Sequence, residues 1–87
     1  MEELLGRAVM SVKGRDQGKI YVVIEEIDRY FIRVCDGDKK PYSQPKRKNR
    51  NHVSLIPEVE AKLTLESLNT NADDRIRDFL KCHMKEV

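Results

Sequence analysis

The sequence predicts a small, mainly β domain: about five short strands curled into a small barrel, followed by a C-terminal α-helix. Three observations carry this. Apolar residues before Pro57 alternate with period 2 in short runs, the pattern of half-buried strands. Glycine-bearing turns separate those runs at roughly ten-residue spacing, which fits a meander that curls to protect its edges. Beyond Pro57 the spacing changes to that of one helical face.

The first run is "GRAVMSVK". Ala8, Met10 and Val12 point one way, and Arg7, Val9, Ser11 and Lys13 the other. "GRDQG", Gly14 to Gly18, follows as a turn, because glycine reaches positive φ without steric cost. "KIYVVIEEI", Lys19 to Ile27, is β-branched and apolar on both faces, so it is expected to be the central strand: Ile20, Val22 and Ile24 on one side, Tyr21 and Val23 on the other. "DRY" gives a short turn. "YFIRVCD" is a third strand with Tyr30, Ile32 and Val34 on one face, and "DGDKK" turns at Gly37. Pro41 and Pro45 then forbid a central strand but allow an edge or short strand near Tyr42. "HVSLI", His52 to Ile56, reads as a closing strand, which Pro57 stops.

In the C-terminal part, Ile76, Phe79, Leu80, His83, Met84 and Val87 share one helical face. Asn71 is the expected N-cap. Asp73 and Asp74 suit the positive end of the helix dipole, and Lys81 and Lys85 the negative end. "AKLTLESLNT" is read as a helical turn, with an extended linker as the alternative. The 87 residues make one domain with a small core, residues 1–57 forming the barrel and 58–87 a helical extension packed on it.

Charge is uneven along the chain. The net charge is +2, yet residues 1–57 hold 12 Lys or Arg against 8 Asp or Glu, while 58–87 hold 5 against 7. No acid occurs from Lys39 through Pro57, and "KKPYSQPKRKNRNH", Lys39 to His52, carries six of the cations. Local charge of this kind sets the field a partner meets. Cys35 and Cys82 are the only cysteines and form no CxxC pair, which argues against a zinc ribbon or a redox dithiol. No apolar run of about 18 residues exists. The N-terminus "MEELLGRAV" has acids where a signal peptide needs bases. A reduced, cytoplasmic protein is expected, without a membrane partner.

Catalysis is not expected. The acid pairs Glu25-Glu26, Asp36-Asp38 and Asp73-Asp74 fall at strand ends, turns and a helix start, where solvation or the dipole accounts for them. No Ser/His/Asp or Cys/His grouping emerges, and so small a core leaves little room for a water-excluding site. Cys82-His83 with Cys35 are read as packing residues rather than metal ligands. No cofactor, metal or small-molecule substrate is anticipated.

The segment "GRAVMSVKGRDQGKIYVVIEEID", Gly6 to Asp28, resembles the KOW motif, with Gly6, Val9, Val12, Gly14, Gly18, Val22 and Ile27 in register. "VCDGDKK" and "PKRKNRNHVSLIP" look like the third strand, basic segment and closing strand of KOW-containing large-subunit ribosomal proteins of the archaeal and eukaryotic kind. "NADDRIRDFLK" is similar to the helix closing short bacterial stand-alone members. The resemblance implies an SH3-like barrel and RNA, above all ribosomal RNA, as ligand. The chain lacks the long extensions of ribosomal proteins, so an accessory, ribosome-associated role follows, with the chain as a monomer.

Two basic segments are the expected RNA contacts. The first is "KGRDQGK", where Lys13, Arg15 and Lys19 flank a turn formed by Gly14 and Gly18. Those glycines are assigned to turn geometry, and the loop lacks the spacing and the Ser or Thr of a nucleotide-binding P-loop. The second contains Lys39, Lys40, Tyr42, Lys46, Arg47, Lys48, Asn49, Arg50, Asn51 and His52. Its cations would meet phosphates, Tyr42 would stack a base, and Asn49 and Asn51 would reach a 2′-hydroxyl or base edge. The structural alternatives are a plain hairpin and a solvated basic loop. A rival function is a protein-interaction module of a transcription or translation complex, docking through the acidic amphipathic helix.

Overall fold

The computed structural model describes residues 4–56, 63 and 71–84, with only the backbone of His83 and Met84. Five antiparallel strands form one sheet: β1 (Ala8–Ser11), β2 (Ile20–Glu26), β3 (Phe31–Cys35), β4 (Lys46–Asn49) and β5 (Val53–Leu55). A 3-10 turn, Arg50–His52, joins β4 to β5, and a helix, α1 (Ala72–Met84), follows. The order across the sheet is β4-β3-β2-β1-β5, so four strands meander and the fifth returns beside the first.

That order forces the sheet to curl. β4 and β5 are its opposite edges, about 19 Å apart if four strand spacings lay flat. The chain from Asn49 to Val53 has four Cα steps, at most about 14 Å fully extended, and a 3-10 turn is shorter still. Curling brings the edges within reach. Among the described residues no ladder joins β4 to β5.

The expected alternation holds on the central strands and divides the core in two. Val9, Tyr21, Val23, Ile32 and Val34 pack with Leu4 inside the curl, backed by Val53 and Leu55. Ala8, Val22 and Cys35 face outward and are covered by Ile56, Ile76 and Phe79, with Met10, Ile20, Ile24, Leu63 and Leu80 around them. A bulge at Ile24, between the Val23–Val34 and Glu25–Arg33 pairs, bends β2. The expected helical face is thus used against the sheet through Ile76, Phe79 and Leu80. His83, Met84, Lys85 and Val87 lie outside the described side chains, as does the "AKLTLESLNT" segment apart from Leu63.

Boundaries shift at three places. The third strand starts at Phe31 rather than Tyr30, because Asp28 Oδ1 accepts from the amides of both residues and holds them in a turn. The closing strand starts at Val53, since Arg50–His52 are wound into the 3-10 turn. The second basic segment is not one loop: its strand lies after Pro45 rather than at Tyr42, on the edge position that tolerates the prolines. Asn71 precedes α1 with φ 57, and its carbonyl accepts from the Arg75 amide. It therefore opens the helix from the left-handed region that asparagine tolerates.

Candidate nucleic-acid interface

The first basic segment and the Lys39–Pro45 part of the second leave the sheet at the same end. Met10 pairs with Ile20, and Val22 with Cys35, so the β1–β2 and β3–β4 connections emerge side by side. Gly14 and Gly18 have φ of 95° and 92°, the left-handed region that other residues adopt only under strain. No atom lies within 4 Å of where a Gly18 Cβ would sit, so the turn needs this glycine for its backbone alone.

Asp16, at the tip of that turn, points inward. Ser11 and Tyr21 face the interior on the flanking strands, and both hydroxyls donate to its carboxylate, at 2.9 and 2.7 Å. β4 supplies two more donors. Ile32 pairs with Lys48 and Val34 with Lys46, which turns both lysines to the inner face. Lys48 Nζ reaches Asp16 at 3.0 Å and the Lys13 carbonyl at 3.4 Å, and Lys46 Nζ reaches Asp16 at 3.2 Å. Burial alone would raise the Asp16 carboxyl. The donors Tyr21, Lys48, Ser11 and Lys46 outweigh burial and hold it well below the usual carboxylate range. Burial and the adjoining Asp16 push the Tyr21 phenol upward.

This junction divides the "PKRKN" side chains between the two faces of the sheet. Strand alternation sends Lys46 and Lys48 in, and Arg47 and Asn49 out. Lys48 is 7% exposed and serves as an internal strut. Lys46 keeps a partly exposed side chain while sharing Asp16. Asn49 caps the 3-10 turn, its Oδ1 accepting from the Asn51 amide at 2.8 Å, and Arg50 pairs with Glu26 at 2.8 Å. That hydrogen bond from Arg50 lowers the Glu26 carboxyl, against its burial, with help from the Leu4 amide. His52 is half-buried and its carbonyl accepts from Val12, tying the 3-10 turn to the end of β1. Asn51 is exposed.

Lys13, Arg15, Lys19 and Lys39 are exposed, and none has a carboxylate partner among the described residues. Lys40 is half-buried in a turn that Asp36 organises by accepting from the Asp38 and Lys40 amides. Gly37 in this turn has φ 78 and packs directly on α1; Arg77 donates to its carbonyl. The Tyr42 amide donates to Asp73 at 2.7 Å, while the residue stays 38% exposed. Tyr42 and Ser43 line a shallow depression with Asp73, Asp74 and Arg77. The second basic segment is therefore held along its length by acids of α1, the β3 turn and the β1–β2 turn.

Two features escaped the sequence reading. In the sequence Asp16 stands out only as part of the Gly14–Gly18 turn. The available signal was an acid placed midway between two inward-facing hydroxyls, Ser11 and Tyr21, with glycines on both sides. Asp73 was assigned to the helix dipole, whereas it also anchors Tyr42 across 31 residues of chain. Cys35 is buried, and burial with Asp73 and Asp36 nearby pushes its thiol up to about 12. Among the described residues, no group of three or more His, Cys, Asp or Glu side chains is placed to hold a metal ion. No described helix is long and apolar enough to cross a membrane. No protein-family model matches the chain, and no curated protein matches it.

Proposed function

We propose that this chain is a KOW-type, SH3-like barrel that binds RNA, namely ribosomal RNA in an accessory role on the ribosome. The observation that carries the reading is that the β1–β2 turn and the Lys39–Lys46 part of the second basic segment emerge at one end of the sheet. Asp16 cross-links them from inside, which leaves Lys13, Arg15, Lys19 and Lys39 displayed outside. Rigid display matters because each phosphate contact then costs little ordering on binding. The strand order and the curl of the sheet support the barrel topology. The helix commits Ile76 and Phe79 to the sheet, which withdraws the apolar face that docking onto a protein through α1 would need.

A charge-reversal variant of Lys13, Arg15 and Lys19 to Glu tests this reading. These side chains are solvent-exposed, so the fold should survive, whereas Lys48→Glu would bury a second carboxylate beside Asp16 and unfold the domain. The variant is expected to lose binding to ribosomal RNA and to stop sedimenting with ribosomal subunits at low salt. Undiminished RNA binding by a folded variant would refute the proposal.

A further inference from the structure

α1 covers only part of the outer face of the sheet. Its apolar residues reach Ala8, Val22 and Cys35. Along β3 the same face continues through Arg33 to Phe31, and the register sets Arg47 opposite Arg33 and Asn49 opposite Phe31. Here the Arg47 guanidinium lies 4.4 Å from the centre of the Phe31 ring. Arg33 is matched by Glu25 at 2.6 Å, so its charge is locally offset. Arg47 is exposed and has no carboxylate partner among the described residues. Asn49 uses its oxygen on the Asn51 amide, which leaves its NH2 group to donate.

We infer that this Phe31–Arg47 stack is a platform for an unpaired nucleobase, so that the RNA bound includes a single-stranded segment. The inference rests on the RNA-binding reading and adds to it the class of RNA and the role of Arg47. A guanidinium lying over a ring has one planar face used and the other open. That open face is weakly hydrated and cationic, and bases stack on such planes. Phe31 holds the plane in position. The Asn49 NH2 group stands beside it to donate to a base or phosphate oxygen. Duplex RNA keeps its bases stacked on each other and offers only phosphates here, so the preference is for an unpaired strand.

The test compares three fluorescently labelled RNAs at one ionic strength: a ten-nucleotide single strand, the same strand with abasic sites at its centre, and the duplex. Arg47→Lys keeps the charge and removes the plane; Phe31→Leu keeps an apolar residue and removes the ring. Each variant is expected to bind the intact single strand about 5- to 100-fold more weakly, with the abasic strand bound as by the wild-type chain. Equal losses on intact and abasic strands, or no loss on either, would overturn the stacking role while leaving RNA binding in place. A wild-type chain that binds none of the three RNAs would overturn both readings.

Discussion

Replacing Asp16 with alanine is expected to cost far more than a turn substitution should. The change removes the acceptor of the buried Tyr21 hydroxyl, leaves the Ser11 hydroxyl with only the Lys13 carbonyl at 3.1 Å, and leaves the ammonium of Lys48, a residue 7% exposed, with only that same carbonyl at 3.4 Å. Breaking a buried ion pair by deleting one partner costs about 3–5 kcal/mol. Lys46 adds little to this, because its side chain is 38% exposed and water can take over. A domain of this size has about 4–13 kcal/mol to lose. At about 4–8 °C per kcal/mol, the melting temperature should fall by about 12 °C or more. Asp16→Asn keeps one acceptor oxygen but removes the charge that pairs with Lys48, so it should cost only somewhat less than Asp16→Ala. The assay is thermal unfolding followed by circular dichroism, completed by a cycle with Lys48→Met. The double variant Asp16→Ala, Lys48→Met should recover about 1–3 kcal/mol of the single losses, since it no longer buries an unpaired ammonium. A loss of less than about 4 °C for Asp16→Ala, or strictly additive effects in the cycle, would refute the reasoning.

Other outcomes follow from the same contacts. The Asp16 and Glu26 carboxyls are both lowered in the folded state, so the unfolded chain takes up protons first as pH falls. Stability from these groups is complete above the unfolded carboxylate range, near pH 4, and is lost below it; Asp16→Asn should flatten that acid limb in unfolding curves measured from neutral pH downward. Gly37→Ala would put a Cβ 2.9 Å from Arg77 Cγ and too close to the Asp73 carbonyl at φ 78, so a loss of about 2–4 kcal/mol in chemical denaturation is expected. Thiol titration should show one fast and one slow cysteine: Cys82 is exposed, whereas Cys35 is buried with its thiol pushed up to about 12. Equal rates for the two in the native protein would contradict the packing of α1 over β3.

Much of the fold was legible because period 2 is a strong signal where both strand faces are used. Ala8, Val22, Tyr21, Val23, Ile32 and Val34 were assigned to their faces from spacing alone, and the two-sided core follows. The basic segment was harder to read. Six cations without an acid look like a single surface in the sequence, but pairing with β3 sends alternate side chains to opposite faces. Its counter-charges are remote in sequence, with Asp16 thirty residues before Lys46 and Asp73 well after Tyr42. A small domain needs its aromatics inside, so the sequence alone would put Phe31 in the core. Its place on the outer face, under Arg47, depends on where the Asp28 turn starts the strand.

Binding to ribosomal RNA as a function of salt is the most direct measurement. Lys13, Arg15, Lys19 and Lys39, with Arg47 and the half-shared Lys46, offer about 4–6 phosphate contacts, so log K should fall with log salt at a slope of about −3 to −5. Arg15→Ala should make that slope shallower by about one, as one contact is lost. A slope near zero, or one unchanged when Lys13, Arg15 and Lys19 are reversed to Glu, would contradict an RNA surface at this end of the sheet.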